Sequence, residues 1–108
     1  MNKTLTHLNA SSNRLTKESC SHLSKLLLKN ATLSHINVAC NNFGTEGGSV
    51  LLQGIRNNGA ILRLDLRLTN SGKEVDLAIE ERTKANRKRR KDWNVRNEII
   101  EMYREAFG

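Results

Sequence analysis

The chain has 108 residues, with 18 lysines and arginines against 11 aspartates and glutamates, a formal net charge of +7, no proline and 4% aromatic residues. That length suits one small domain with a modest core, and no apolar run is long enough to cross a membrane. The excess charge is local: residues 82–96 hold Arg82, Lys84, Arg87, Lys88, Arg89, Arg90, Lys91 and Arg96 against Asp92 alone.

In chain order, Leu5, Leu8 and Ala10 begin at spacing three and then alternate, which predicts a short strand around residues 7–10 with Leu8 and Ala10 inward and Asn9 outward. Asn13 follows where the chain must turn, and a short amide there can satisfy backbone groups that no ladder reaches. Leu15 folds inward next. Thr16 then precedes a helix over Lys17–Lys29, whose apolar face is Leu23, Leu26 and Leu27 with help from Cys20, and Asn30 ends it.

The same pattern recurs 28 residues later. Leu33, Ile36, Val38, Asn41 and Phe43 repeat the anchors, with a strand over 35–38, a turn at Asn41 and a helix over Thr45–Asn57 that ends before Asn58. Gly47, Gly48 and Gly54 lower the intrinsic helicity of this segment and predict close packing between successive helices. The GTEGG stretch lacks the lysine sequel of a phosphate loop. A third, worn copy runs through Ile61, Leu64, Leu66, Thr69 and Ser71, with a strand over 63–66 and a more polar helix over 73–86 that ends at Asn86, the counterpart of Asn30 and Asn58.

After Asn86 comes a basic junction, Arg87, Lys88, Arg89, Arg90 and Lys91, read as a solvated junction or helix face, or as a nuclear-import patch, a nucleic-acid phosphate contact or a microtubule-facing patch. Trp93, Ile100, Tyr103 and Phe107 follow at offsets of seven, three and four. They predict a separate amphipathic helix of about 14 residues, marginal by itself. It either folds back to seal the third copy or docks on a neighbouring subunit. Residues 1–86 and 87–108 are thus two segments: an array of repeats, then a basic junction with a capping or docking helix.

A unit of this length with a strand-like and a helix-like half is a stacking unit. Stacking at 28 residues aligns His7 with His35 and Arg63, Asn9 with Asn37 and Asp65, and places Leu62, Arg67 and Leu68 at the third copy. These outward positions, His7, His35, Asn37, Leu62, Arg63, Asp65, Arg67 and Leu68, are the candidate protein-binding residues, and Asn13 and Asn41 are the structural turn residues. Leu62 and Leu68 are expected either to be covered by the C-terminal segment or to form a partner patch.

The repeated LxxLNxxxN of Leu5–Asn13 and LxxINxxxN of Leu33–Asn41, with the GTEGG and LLxGIxxN stretches, resemble the leucine-rich repeat family of the ribonuclease-inhibitor-like subtype over about residues 4–86. The resemblance implies an α/β solenoid with parallel inner strands and outer helices, to which the chain adds a C-terminal amphipathic helix. The DLRLTNSGKEVDLAIEERTKANRKRR stretch is similar to the last repeat of ciliary leucine-rich repeat proteins of the dynein regulatory complex. That would imply axonemal subunits as partners and a place in the cilium or flagellum. Since Met1–Thr4 leave little room for a cap, the chain reads as the C-terminal piece of a longer array, its first edge covered by missing repeats or by a partner.

Catalysis has little foothold. His7 and His35 lack a serine or cysteine with a carboxylate in triad-like arrangement. Cys20 and Cys40 fall at different phases of the repeat and read as free, buried or half-buried thiols, and no CxxC or HxxxH cluster supplies a metal site. Without a signal peptide, the expectation is an intracellular, cytoplasmic, non-catalytic protein-binding scaffold with no cofactor, metal or membrane partner. The alternatives are a cytosolic or nuclear regulatory adaptor and a nucleic-acid contact through the basic tract. The last is disfavoured because no aromatic platform is interleaved with the charges.

Overall fold

The computed structural model describes residues 5–107; the expectation resting on Met1–Thr4 lies outside them. Strands β1 (His7–Asn9), β2 (His35–Asn37) and β3 (Arg63–Asp65) alternate with helices α1 (Lys17–Lys29), α2 (Gly44–Ile55) and α3 (Lys73–Phe107). The strands form one parallel sheet in the order β1-β2-β3. Their register is the 28-residue spacing: His7 pairs with His35 and His35 with Arg63, while Leu8, Ile36 and Leu64 stand in line. Backbone bonds carry the ladder past the strand ends, from the Ala10 N–H to the Asn37 carbonyl at 2.7 Å and from the Cys40 N–H to the Arg67 carbonyl at 2.9 Å.

The inward side chains meet the helices in one core, where Ile36, Val38 and Leu66 pack with Cys20 and Leu27 of α1, Leu51 and Ile55 of α2, and Val75 and Ile79 of α3. Burial of such side chains drives this assembly, at roughly 25 cal/mol per Å² of apolar surface. The units are fastened by amides. Asn41, only 3% exposed, accepts the N–H of Asn13 at 3.0 Å and of Leu15 at 2.9 Å, and donates to the carbonyls of Ala10 and Val38, both at 2.9 Å. The Asn13 side chain is exposed and donates to the nearby Ser11 carbonyl, so of the two expected turn residues it is the Asn41 side chain that joins two units. The worn third copy replaces the amide with Thr69, whose hydroxyl donates to the Leu66 carbonyl at 2.7 Å and meets that of Ser71.

A second amide series runs along the helix ends. Asn58 donates to the Leu27 carbonyl at 2.7 Å and accepts the N–H groups of Ala60 and Ile61. Asn86 donates to the carbonyls of Asn58 and Ile61 at 2.8 and 2.9 Å. Glycines set the helix spacing: a Cβ on Gly54 would lie 2.6 Å from the Ser24 Cα and 2.7 Å from its carbonyl oxygen, and one on Gly48 would lie 2.9 Å from the Ser71 carbonyl oxygen. The expected close packing of successive helices is therefore what these glycines permit.

Two expectations need correction. The leucine-rich repeat solenoid is not formed: three strands of three residues each make a short open sheet, neither closed nor strongly curled. The architecture is a small α/β unit with parallel βα alternation, and it lacks the curved inner surface of a solenoid. The second concerns the end of the chain. The helix expected over 73–86 and the separate helix from Trp93 are one element of 35 residues, α3, about 52 Å long at 1.5 Å per residue. After Asn30 and Asn58 the chain reads Ala-Thr and Gly-Ala, and the asparagine oxygen caps the turn that follows. Good helix formers, Arg87 to Lys91, follow Asn86, so the helix continues and the Asn86 oxygen accepts from the Arg82 guanidinium instead.

These fastenings have measurable consequences. Asn41→Ala strands two donors and two acceptors at a unit junction and is expected to cost about 2–4 kcal/mol in urea unfolding, whereas His35→Ala should leave the midpoint nearly unchanged. Gly54→Ala gains about 1 kcal/mol of helix propensity, but the clash is with backbone that cannot swing aside. It is expected to destabilise by about 1–3 kcal/mol net, and a stabilised Gly54→Ala variant would contradict the close approach of α1 and α2.

Candidate protein-binding surfaces

Two surfaces stand clear of the core. The first is the uncovered sheet face, where alternation turns His7, Asn9, His35, Asn37, Arg63 and Asp65 outward around a shallow depression of about 330 Å³. The register stacks the His7 and His35 rings face to face, centroids 4.3 Å apart and planes within 4°. Each ring is steadied from its own strand, His7 Nδ1 by the Thr6 hydroxyl at 2.9 Å and His35 Nδ1 by the Ser34 hydroxyl at 2.8 Å. Partial burial, and then the positive charge of His7 and Arg63, push the His35 imidazole below its ordinary range. At the third position Arg67 clamps Asp65 through its guanidinium at 2.8 Å, and that bond holds the Asp65 carboxyl low.

The ends of the sheet ladder carry a feature that sequence reasoning missed. Ser12, Cys40 and Leu68, spaced by 28, all have φ between 57° and 60°. None is glycine, so a left-handed turn is imposed three times by the stacked units against local preference. The repeat phase of these residues was legible, but their chemistry gave no hint of the conformation. Leu68 is 78% exposed, so the C-terminal segment does not cover it, while Leu62 is half-buried and its carbonyl takes the Arg87 guanidinium of α3. Beside β3 a groove of about 600 Å³ stays open along Leu64, Leu66, Asp76, Ile79 and Glu80. Cys40 is exposed, not half-buried, while Cys20 is buried and its thiol is pushed up to about 11 by burial.

The second surface is the far half of α3. Every residue from Lys88 to Phe107 is exposed, including Trp93 (56%), Ile100 (40%), Tyr103 (66%) and Phe107 (77%). Val95, Ile99 and Met102 widen the stripe, and at about 100° per residue these side chains occupy one half of the helix surface. Tyr103 and Phe107 pack on one another at 4.8 Å. A helix with this pattern covers its apolar half when it has a neighbour.

The basic tract between body and tail is divided in use. Arg87 donates to the Leu62 carbonyl at 2.7 Å and pairs with Glu80; Arg89 donates to the Gly59 carbonyl at 2.8 Å; Arg82 reaches the Arg56 carbonyl at 3.2 Å. These arginines bind the loop between α2 and β3, so part of the expected patch is a structural clasp. Lys88 pairs with Asp92 one turn on, and the Arg90 and Lys91 side chains make no hydrogen bond or ion pair among the described residues. Sequence reasoning missed the clasp because arginine-to-carbonyl bonds leave no periodic signal.

Among the described residues no group of three or more His, Cys, Asp or Glu side chains could hold a metal ion, and no helix is long and apolar enough to cross a membrane. No protein-family model matches the chain, and no curated protein matches it. With the open, uncurled sheet, this overturns the leucine-rich repeat membership read from the motifs, and the ciliary, flagellar and axonemal assignment that rested on it falls too.

The stacked imidazoles have a definite pH signature. Because the folded protein holds His35 below the ordinary imidazole value, the unfolded chain takes up a proton more readily, so stability is undiminished at neutral pH and falls as pH drops from the ordinary imidazole value through the His35 midpoint. A ring-proton NMR titration is expected to place that midpoint below about 6.5. His7→Ala should raise it by uncovering the ring and removing a charge; a midpoint unmoved by His7→Ala would break the link to stacking.

Proposed function

We propose that the chain is a non-catalytic, intracellular protein-binding scaffold whose principal contact is the apolar half of α3. The observation that carries this reading is the exposure of Trp93, Val95, Ile99, Ile100, Met102, Tyr103 and Phe107 on one side of a helix that leaves the body of the protein. A contiguous apolar patch of this kind, rimmed by charge, is the mark of an interaction site. Trp, Tyr, Met and Arg are also the residues that interfaces favour.

The sheet face with His7, His35, Asn37, Arg63 and Asp65 supplies a smaller polar contact able to impose orientation. Exposed Leu68, held in a left-handed turn beside Cys40 and Asn70, adds an apolar point at its rim. The clasp formed by Arg82, Arg87 and Arg89 braces the root of α3 against the loop after α2, so the tail leaves the body in a fixed direction. A rigid presenting element lowers the entropic cost of binding. The clasp also draws on the cations that a phosphate-binding patch would need, which favours protein over nucleic acid as the partner.

A photo-crosslinking amino acid at Ile99 of the full chain, expressed in its own cells, is expected to yield covalent adducts with protein. The same group at Gln53, on the outer surface of α2, should give none. Absence of adducts from Ile99, with the chain folded by circular dichroism, would remove the basis of this reading.

A further inference from the structure

We propose that the open edge of β3 takes an extended segment of a partner protein as a fourth parallel strand, with an acidic residue beside Arg63. This rests on the protein-binding reading above and adds a contact on the body to the one on α3. The observation is a break in the hydrogen-bond series that runs through the repeats. Past β1 the N–H groups of Ala10 and Ser12 donate to the carbonyls of Asn37 and Ala39, and past β2 those of Val38 and Cys40 donate to Asp65 and Arg67. Their counterparts 28 residues on, the N–H groups of Leu66 and Leu68, have no partner among the described residues. They follow β3, an edge strand of the sheet, and such a row of donors is a template for strand addition. The left-handed turn at Leu68 is no obstacle, since Cys40 at the same phase donates to Arg67 at 2.9 Å.

The neighbouring groups define the segment that fits. The open groove beside β3, about 600 Å³, runs along Leu64, Leu66 and Leu68, and residues 64–68 offer about 13 Å of extended chain. The two existing junctions set a parallel direction, so a partner residue in line with Leu64 faces the groove and is apolar, while one in line with Arg63 faces outward. Arg63 is exposed and its side chain has no hydrogen bond or ion pair among the described residues, whereas Asp65 is held by Arg67. A carboxylate on the added strand supplies the missing unlike pair. On the α3 wall Glu80 pairs with Arg87, and Lys73 and Asp76 are of opposite sign, so Arg63 sets the charge preference.

Arg87 closes the other end of the ladder. The carbonyls of Thr6 and Ser34 accept N–H groups from the following strand, but that of Leu62 takes the Arg87 guanidinium, so pairing starts after residue 62. A complete further unit, such as the first unit of a second copy, does not fit. Gly54 of α2 approaches α1 so closely that a Cβ would lie 2.6 Å from the Ser24 Cα. The corresponding residues at such a junction are Glu80 on α3 and Leu26 on the incoming α1, which hold two helices apart but leave a lone strand unhindered.

The isotopically labelled full chain is tested by amide NMR with a blocked synthetic peptide copying Leu33–Phe43 with His35→Glu and Cys40→Ser, which carries the alternation of Ile36 and Val38. At about ten times its Kd the peptide is expected to slow hydrogen exchange at Leu66 and Leu68 about tenfold. A scrambled peptide of the same composition should protect neither. Arg63→Glu, at an exposed position, should weaken the acidic peptide about fivefold, and a His35→Lys version of the peptide should recover the loss.

Unprotected Leu66 and Leu68 amides at about 5 mM peptide, a limit above even a weak specific Kd, overturn strand addition, as does equal protection by the scrambled peptide. Acidic and lysine peptides that bind the parent chain and Arg63→Glu alike overturn the pairing with Arg63. If Leu66 and Leu68 stay unprotected while Ile99 still cross-links to protein in cells, the scaffold reading stands and strand addition alone falls.

Discussion

Three-residue strands leave most of each connecting turn outside the sheet, and the structure depends on satisfying the backbone groups buried there. Buried amides do this. Asn41 takes two N–H donors and two carbonyls from two successive units, and Asn58 and Asn86 tie each helix end to the unit before it. An unpaired buried donor or acceptor costs about 1–3 kcal/mol, so one asparagine at each junction holds more than a surface ion pair such as Lys17 with Glu46 could. That pair is exposed, and water and salt screen most of its attraction.

With the amides in place, helix spacing becomes a matter of volume. Gly48 and Gly54 let α2 approach Ser71 and Ser24 at distances that leave no room for a Cβ, and a Cβ on Gly47 would meet the Cys20 sulfur at 3.0 Å. The core from Cys20 to Ile79 then fills the space between the inward side of the strands and the helices. The price appears in the backbone, where Ser12, Cys40 and Leu68 are forced into the left-handed region at the same phase of each unit. Such positions persist because neighbouring units over-determine them.

The far half of α3 is the part of the molecule that this economy does not use. The clasp of Arg82, Arg87 and Arg89 secures the helix to the body, and beyond it every side chain is exposed. Apolar surface of this extent is costly to leave in water, which is the ground for proposing that a partner removes it. The division of labour is physical: the first two units and the start of α3 make the platform, and the tail presents a surface in a direction set by the arginines at its root.

The 28-residue recurrence by itself determined the strand register, the inward line of Leu8, Ile36 and Leu64, the outward line of His7, His35 and Arg63, and the glycines as packing sites, because side-chain alternation and stacking are periodic and periodicity is written in the residues. Sheet curvature, the continuation of α3 past Asn86, the use of Arg87 and Arg89 on carbonyls, and the left-handed turns were decided only by tertiary structure. Curvature follows from how units tilt against each other, not from the pattern inside one unit. The fate of Asn86 likewise depended on whether its oxygen would close a turn or receive Arg82, and that contest is settled only when the loop after α2 is close enough to be bound.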